Sequence, residues 1–207
     1  MANNIRSLLF DLGNVIVDID IDGAHDRLNQ LFRKDAVRDV IERAFIEFEC
    51  GRISTDIFIN TLLSQSERKV QALDIIEAWN SMLIGIPDYR LEMLRLLKGK
   101  YSVYLLSNTN ALHLEWIHRY VRRAHKVDNF EKVFFDHAFY SHLVGDRKPN
   151  ASLFKFITQD SFMIPGLTLY MDDVQENLDV AGKLGFHTHL VNPGDEIAEY
   201  LKKQGYY

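Results

Sequence analysis

The chain has 207 residues, of which 47% are hydrophobic and 26% charged, which is typical of one globular domain, or of one domain with a modest insert. Its formal net charge of −5 argues against a nucleic-acid-binding surface, and no apolar run approaches the roughly 18 residues of a membrane-spanning helix. Cys50 is the only cysteine, which excludes an internal disulfide, and residues 1–6 lack the layout of a signal peptide, so we expect a cytoplasmic protein.

The first predicted strand is the apolar run at residues 8–10, which ends at Asp11. The region that follows, from about residue 18 to residue 85, has a different pattern. Its apolar residues recur with helical spacing, and no segment in it is typical of a strand. Ser54 and Thr55 mark one helix start. We therefore predict a small helical insert over residues 18–85, placed directly after the first strand.

Strand and helix signals alternate after Pro87. This alternation is typical of a parallel sheet with helices on both faces. The predicted fold class is therefore α/β, with a Rossmann-like core formed by residues 1–17 and 86–207. The predicted strands of this second part lie at residues 101–106, 132–135, 167–171 and 188–191, and the predicted helices at residues 88–98, 111–122, 151–157, 175–184 and 197–203.

Polar side chains follow three of the predicted strands, at the point where each strand ends. The first strand ends at Asp11, another ends at Ser107 and Asn108, and a third ends at Asp172 and Asp173. Ligands of open parallel sheets bind at the carboxyl ends of the strands. We therefore expect these side chains to meet at one edge of the sheet, where they can bind a ligand.

A turn is the simpler explanation of Asp11 when that segment is considered alone, because Gly13 and Asn14 favour turn conformations. The other segments favour a functional explanation. Lys148, which stands just before a predicted helix, adds a cation to the set. Carboxylate, hydroxyl, cation and carboxylate pair together form a set that can handle a phosphate beside a divalent metal.

These segments together resemble the four motifs of the haloacid dehalogenase superfamily, most of whose members are magnesium-dependent phosphatases. They are especially similar to the bacterial α-D-glucose-1-phosphate phosphatase branch, and the resemblance covers the whole chain. It implies that residues 18–85 form a cap that closes over the active site. The residues that carry it are Phe10-Asp11-Leu12-Gly13-Asn14-Val15-Ile16-Val17-Asp18-Ile19-Asp20, Leu106-Ser107-Asn108-Thr109-Asn110, Arg147-Lys148-Pro149, and Asp172-Asp173 with Asn177.

The resemblance assigns a role to each acidic motif residue. Asp11 would be the nucleophile that forms an aspartyl-phosphate, which divides a difficult hydrolysis into two easier steps. Mg²⁺ would be bound by the Asp11 carboxylate, the main-chain carbonyl of Gly13 and the Asp173 carboxylate. Asp172 would hold a metal-bound water. These are hard oxygen ligands, which suit Mg²⁺.

The resemblance also implies how the phosphate is bound. Ser107 and the amide of Asn108 would bind phosphate oxygens, and Lys148 would balance the negative charges of nucleophile and phosphate. The expected function is therefore a cytoplasmic, magnesium-dependent phosphatase of a small phosphorylated metabolite such as a sugar phosphate. Neither a nucleic-acid partner nor a membrane is expected, and the sequence leaves the oligomeric state and the exact substrate open.

Gly13 departs from the wider superfamily, in which most phosphatases carry a second Asp at this position. That carboxyl normally protonates the leaving group and then activates water, and such help contributes typically about 10²–10⁴-fold to the rate. The main-chain carbonyl of Gly13 still serves as a ligand. His113 and Asp20 are possible substitutes for the missing acid, although a helix-surface position is the simpler expectation for His113.

Two other functions remain open at the level of the sequence. A metal-independent 2-haloacid dehalogenase also uses an aspartate nucleophile and suits the absence of a second Asp. The adjacent Asp172 and Asp173 argue against it, because carboxylates that face Asp11 repel unless a cation lies among them. A non-catalytic protein that binds phosphate ligands is the other alternative. The presence of the full set Asp11, Ser107, Lys148 and Asp173 argues against it.

Overall fold

A computed structural model describes residues 4–207; Met1, Ala2 and Asn3, and with them half of the segment considered for a signal peptide, lie outside the described residues. No helix within residues 4–207 is long and apolar enough to cross a membrane. The described part of the chain forms seven strands, which we number along the chain as β1 (Ser7–Phe10), β2 (Asp18–Ile19), β3 (Leu83–Gly85), β4 (Ser102–Ser107), β5 (His137–Tyr140), β6 (Thr168–Asp172) and β7 (His187–Leu190).

The helices are mostly short, and the longest follows strand β4. They are α1 (Ile21–Leu31), α2 (Arg38–Glu49), α3 (Thr55–Gln65), α4 (Ala72–Asn80), α5 (Asp88–Lys98), α6 (Ala111–His125), α7 (Phe130–Phe134), α8 (Ser141–Val144), α9 (Ala151–Asp160), α10 (Gln175–Lys183) and α11 (Ile197–Lys203). A short 3₁₀ turn at Pro165–Leu167 precedes strand β6.

Five of the strands form one parallel sheet, in the order β5-β4-β1-β6-β7. Strand β1 is central, and its Leu9 is paired with Tyr104 of β4 on one side and Tyr170 of β6 on the other. The predicted α/β class is therefore confirmed. This order matters for the site, because it places the ends of β4, β1 and β6 next to one another.

Both faces of the sheet are buried, as the alternation along strand β1 shows. Leu8 and Phe10 belong to a core on one face, whereas Leu9 belongs to a separate core on the other face. Successive side chains of a strand point to opposite faces, so a strand covered on both sides is apolar throughout. Helices α5, α6 and α11 contribute to the first core, and helices α9 and α10 to the second.

Helices α1 to α4 share a third core, which is built around Phe58, Leu62 and Trp79. One buried residue from outside this segment, Leu112 of α6, also joins this core. The expectation that residues 18–85 contain no strand is wrong at both ends of the segment. Strands β2 and β3 pair there as a short antiparallel ribbon, in which Asp18 lies opposite Gly85. Two- and three-residue strands are too short to produce a detectable alternating pattern.

The predicted strand at residues 132–135 is also wrong, because these residues lie in and just after helix α7. The side chain of Asn129 accepts a hydrogen bond from the Lys132 amide at 2.9 Å and caps this helix. Phe130 and Phe134 are buried one turn apart. A short apolar run is ambiguous between helix and strand, and here the cap decides it. The strand that pairs with β4 at this edge of the sheet is β5, at His137–Tyr140.

We expect Leu62→Ala to lower the free energy of unfolding by about 2–5 kcal/mol, since it removes a fully buried side chain from the third core. Chemical denaturation followed by circular dichroism measures this difference. Ile57→Ala on the same helix is the matched control, because Ile57 is 53% exposed and should change stability by no more than about 0.5 kcal/mol. Equal effects of the two substitutions would contradict the described packing of helix α3.

Candidate active site

Strands β4, β1 and β6 are adjacent in the sheet, and their carboxyl ends bring most of the predicted site residues together. Asp11 directly follows β1, and its main-chain N–H donates to the Met171 carbonyl of β6 at 2.9 Å. Ser107 is the last residue of β4, and Asp172 is the last residue of β6. All three are buried. The parallel arrangement therefore produces a polar cluster at one edge of the sheet, as the sequence predicted.

Lys148 lies at the centre of this cluster. Its Nζ donates to Asp11 Oδ1 at 2.6 Å and to Asp172 Oδ2 at 2.7 Å, and its side chain is 3% exposed. Burial opposes the charged form of this ammonium group, but the two carboxylates outweigh burial and raise the pKa of Lys148. Lys148 therefore carries a positive charge into the buried cluster.

The Asp172 carboxylate is surrounded by donors. Its Oδ1 accepts from the Val174 amide at 2.8 Å and from Asn177 Nδ2 at 3.0 Å. Its Oδ2 accepts from Lys148 Nζ and from the hydroxyl of Tyr170. Burial disfavours ionisation, but Lys148 and the other donors outweigh it and hold the pKa of Asp172 below its usual range. Asp172 is thus an ionised anchor for Lys148. Sequence analysis had not identified Tyr170 as a partner.

The other two carboxylates are less fully neutralised. Burial, opposed by Lys148 and reinforced by the neighbouring carboxylates, raises the pKa of Asp11 to about 7. Burial also raises the pKa of Asp173, although Asn14 Nδ2 donates to its Oδ2 at 2.8 Å. One lysine therefore does not balance the cluster, and a further cation among these carboxylates would favour ionisation of both.

The carboxylates have the geometry for such a cation. Asp11, Asp172 and Asp173 each offer an oxygen, and these oxygens lie within 4.8 Å of one another. Gly13 lines the same cavity as Asp11 and Asp173. Carboxylate oxygens are the ligands that Mg²⁺ prefers. The donor set that the structure assembles therefore fits a hard divalent cation.

Asn108 connects two loops of the site. One is the strand-β4 loop, residues 108–110, and the other is the loop that carries Lys148, residues 145–150. The side-chain Oδ1 of Asn108 accepts from the Lys148 amide at 2.9 Å, and its Nδ2 donates to the Lys148 carbonyl at 3.1 Å. Both ends of this side chain are therefore occupied by the main chain of Lys148. The main-chain N–H of Asn108 is therefore the group left for the predicted contact with a phosphate oxygen, which stays a prediction. Ser107 Oγ lies next to this loop, 3.5 Å from the Asn108 carbonyl.

A cavity of about 470 Å³ opens above the cluster, between the sheet and the helices of residues 18–85. Its floor contains the predicted site residues Asp11, Gly13, Ser107, Asn108, Lys148 and Asp173, together with Arg147, Val174 and Asn177. The opposite wall is formed by residues that sequence analysis did not identify, namely Ile19, Ile21, His25, Glu42, Phe45, Ile46, Glu49, Trp79 and Met82.

No family model matches the chain. It is 30% identical to the D-ribitol-5-phosphate phosphatase of Bacteroides thetaiotaomicron, in an alignment that covers 95% of this chain and 97% of that protein. The chain belongs to the haloacid dehalogenase (HAD) family. The assignment to the α-D-glucose-1-phosphate phosphatase branch is not confirmed and stays a prediction.

Solved structures agree with the assignment to the HAD family. The wild-type HAD family enzyme BT-2542 of B. thetaiotaomicron, in complex with magnesium and inorganic phosphate, superimposes with a TM-score of 0.81 at 29% identity, over 95% of this chain and 98% of that one. A predicted HAD-like family hydrolase from Porphyromonas gingivalis superimposes with a TM-score of 0.84 at 27% identity, over 97% of both chains.

His113 of this HAD protein is a buried structural residue that packs against Trp79 of the cavity wall, so the expectation of a helix-surface position is wrong. It is 6% exposed, and its ring stacks on Trp79 with a centroid distance of 5.0 Å. Its Nε2 donates to the Trp79 carbonyl at 3.2 Å, and its Nδ1 accepts from Asn110 Nδ2 at 3.2 Å. Both ring nitrogens are occupied, and His113 does not line the cavity. The hypothesis that His113 replaces the missing acid is therefore wrong.

Asp20 is also engaged elsewhere. Its carboxylate accepts from the Gly23 amide at 2.9 Å and caps helix α1, and it is exposed and outside the cavity lining. The second hypothesis for the missing acid is therefore wrong as well.

Asn110, in contrast, has a larger role than the motif suggests. Its Oδ1 accepts from Trp79 Nε1 at 3.2 Å, so the strand-β4 loop of this HAD protein fixes an aromatic ring of the cavity wall.

We expect His113→Phe to reduce the loss of stability that the protein shows between pH 7 and pH 5. Burial lowers the pKa of His113 to about 4, against about 6.5 for the unfolded chain, and the Trp79 carbonyl only partly offsets burial. Below about pH 6.5 His113 is protonated in the unfolded chain but stays neutral in the folded protein, so the free energy of unfolding falls as the pH falls. Urea denaturation at both pH values measures this. An equal loss in both proteins would show that folded His113 is readily protonated.

Proposed function

We propose that this protein is a magnesium-dependent phosphatase that hydrolyses a small phosphorylated metabolite, such as a sugar or polyol phosphate, through an aspartyl-phosphate on Asp11. The observation that carries this proposal is the position of Lys148. Its ammonium group joins the carboxylates of Asp11 and Asp172, and Asp173 lies within the same cluster at the floor of a cavity. A phosphate monoester needs this combination of nucleophile and opposite charge.

The metal would be held by the carboxylates of Asp11 and Asp173 and by the Gly13 carbonyl, with Asp172 holding a metal-bound water. Mg²⁺ supplies neutralisation of the charge on the phosphoryl oxygens when it is bound. BT-2542, which shares 29% of its residues with this chain, has been solved with magnesium and inorganic phosphate, and this supports the choice of ion.

The protein's own residues carry out the transfer. In the first step Asp11 attacks phosphorus, the bond from phosphorus to the ester oxygen breaks, and that oxygen leaves with the electron pair of the bond and takes a proton from an acid in the cavity. Lys148 balances the charge of nucleophile and phosphate, while Ser107 and the main-chain N–H of Asn108 hold phosphate oxygens. In the second step water attacks the aspartyl-phosphate and restores the Asp11 carboxylate. The paired Asp172 and Asn108 contacts keep Lys148 in position throughout.

The helices of residues 18–85 act as the cap of this site. Helices α1 to α4 have their own apolar core, and they contribute most of the cavity wall opposite Asp11. The floor binds the phosphate, so the wall contacts the alcohol part of the substrate. The similarity to a D-ribitol-5-phosphate phosphatase supports a polyhydroxylated alcohol. We assign residues 1–17 and 86–207 to the core domain and residues 18–85 to the cap domain.

A dehalogenase is less well supported. A halide-releasing enzyme of this kind needs no metal, whereas Asp11, Asp172 and Asp173 each offer a carboxylate oxygen within 4.8 Å of the others, which is a donor set for a divalent cation. A non-catalytic phosphate binder has no need of a nucleophile held at 2.6 Å from a buried lysine. Assays of phosphate release and chloride release, with Mg²⁺ and with chelator, separate both alternatives from a phosphatase.

We expect Asp11→Asn to reduce phosphatase turnover by roughly 10⁴-fold or more, because an amide cannot form the phosphoryl-enzyme. Turnover is measured as phosphate release from a panel of sugar and polyol phosphates, with Mg²⁺ and with excess chelator. Asp128→Asn is the matched control, since that side chain is 87% exposed at the surface, and it should behave as the wild type. Thermal unfolding confirms that the variants are folded.

Chelation should abolish wild-type turnover, and added Mg²⁺ should restore it. Full activity in the presence of chelator would contradict the metal requirement. Activity of Asp11→Asn close to that of the wild type would remove Asp11 as the nucleophile. Chloride release from 2-chloropropionate without metal, and no phosphate release, would favour a dehalogenase. Phosphate-ester binding without any turnover would favour the non-catalytic alternative.

A further inference from the structure

The site described above lacks a group that protonates the departing alcohol, because Gly13 stands where a second Asp is usual and neither His113 nor Asp20 reaches the cavity. An alkoxide is a poor leaving group without a proton donor. A phosphatase of alkyl esters therefore needs another acid in the cavity. The inference that follows rests on the proposed function and concerns this missing group.

Few ionisable side chains that line the cavity are free for this task. Asp11 and Asp173 are already assigned to the nucleophile and the metal, and Lys148 is held by two carboxylates. His25, Glu42 and Glu49 remain as acids of the cap wall. A choice among these three depends on their distance from the phosphate end of the cavity and on their burial.

Helix α2 carries Glu42 and Glu49 on one face, because they are seven residues, or two turns, apart. Their backbone positions differ by about 10 Å along the helix. Glu42 is exposed, and it also lines a separate surface pocket with Arg38 and Asn29. Glu49 lies at the other end, with its side chain only 24% exposed. The two residues are thus chemically identical but lie at opposite ends of the wall.

Glu49 is at the phosphate end. Its Oε2 contacts Arg147 Nη2 at 3.1 Å, and Arg147 is the residue directly before Lys148. This ion pair crosses from the cap to the loop that supplies the lysine. Glu49 lines the same cavity as Lys148, and its ion pair connects it to the loop from which Lys148 reaches Asp11. A substrate whose phosphate is bound at Lys148 would then have its ester oxygen in the same part of the cavity as the Glu49 carboxyl.

We propose that Glu49 is the general acid and general base of this active site, in place of the carboxyl that Gly13 lacks. The residue thereby comes from the cap instead of from the strand-β1 loop. The substrate class that this serves is a phosphate ester of an alcohol, whose oxygen needs a proton in order to leave.

The proton balance is complete with Glu49 in this role. As Asp11 attacks, the bond between phosphorus and the ester oxygen breaks, and the electron pair of that bond stays on the oxygen, which takes the Glu49 proton. Glu49 is then a carboxylate, which Arg147 stabilises at 3.1 Å. In the second step Glu49 takes a proton from the attacking water, the Asp11 acyl-phosphate bond breaks, and Glu49 is protonated again for the next cycle.

The surroundings of Glu49 suit both halves of this cycle. Burial raises the pKa of its carboxyl, while Arg147 and Lys148 act in the opposite direction, and burial outweighs them. A general acid and base works best when neither of its two forms is strongly favoured. Arg147 therefore allows the ionised form to exist, and burial allows the protonated form to return.

Glu49→Gln tests the proposal, because glutamine keeps the shape and can still accept a hydrogen bond from Arg147. We expect the turnover of a primary alkyl phosphate, such as ribitol 5-phosphate or glycerol 3-phosphate, to fall by about 10²–10⁴-fold. An aryl phosphate such as p-nitrophenyl phosphate needs no acid to lose its phenol. It should therefore give a rapid burst of one nitrophenol per active site, followed by slow turnover, because hydrolysis of the aspartyl-phosphate has lost its base.

Glu42→Gln and His25→Asn are the matched controls, since they remove the other two acids of the same wall. Either substitution can change KM, but both should keep the wild-type ratio of alkyl to aryl turnover and show no burst. A burst in either control, with Glu49→Gln resembling the wild type, would assign the role to that residue and overturn the proposal.

A rescue experiment adds a second test. A side chain at position 13 would place its Cβ 2.8 Å from Ile19 Cδ1, and Ile19→Val removes that atom. In the Glu49→Gln background, Gly13→Asp combined with Ile19→Val should restore alkyl phosphate turnover by at least about 10²-fold, which is the lower end of the range for general acid–base help. Ile19→Val alone in that background is its control.

The outcomes separate this proposal from the proposed function. Wild-type activity that requires Asp11 and Mg²⁺, together with an unchanged Glu49→Gln variant, would overturn only the role of Glu49. An equal loss on alkyl and aryl phosphates without a burst would show that Glu49 has a structural role, and would overturn it too. A wild-type protein that releases no phosphate from any ester would instead overturn the proposed function itself.

Discussion

The contact of one buried lysine with two buried carboxylates is the constraint on which the rest of the site depends. An unpaired charge in this position would cost several kcal/mol, so Lys148, Asp11 and Asp172 can be buried only together. The parallel sheet makes this possible, since adjacent strands deliver Asp11 and Asp172 to one edge. Tyr170, Asn177 and the loop around Asn108 complete the arrangement by fixing the partners of the lysine.

The cavity depends on contacts between the sheet domain and the helical insert, and these contacts are polar as well as apolar. Asn110 bonds to the indole of Trp79, and His113 stacks on the same ring. On the other side, Glu49 pairs with Arg147. The wall of the cavity is therefore held by the same two loops that carry Asn108 and Lys148, the residues proposed to bind phosphate. The position of the alcohol part of a substrate and that of its phosphate are consequently set by one framework.

The sequence was sufficient to predict the location of those site residues whose positions follow from strand order. Asp11, Ser107 and Asp172 each end a strand, and their meeting follows once the sheet is known to be parallel. It was not sufficient for Asn108, whose side chain clamps a loop forty residues away, or for Glu49, since periodicity identifies a helix face but not what that face meets. Helix α7 was mistaken for a strand because five apolar-rich residues carry too little periodicity.

The ribbon of β2 and β3 explains how a helical bundle can interrupt a folded core. Asp18 and Gly85 lie opposite each other, so the chain leaves the core and re-enters it at nearly one point. For the core, residues 18–85 are topologically a hairpin loop. Closing a loop costs only about 0.6 kcal/mol for each doubling of its length, so that position accepts an insert of almost any size. The helical wall of the cavity can therefore be exchanged as a unit while the sheet and Lys148 stay unchanged.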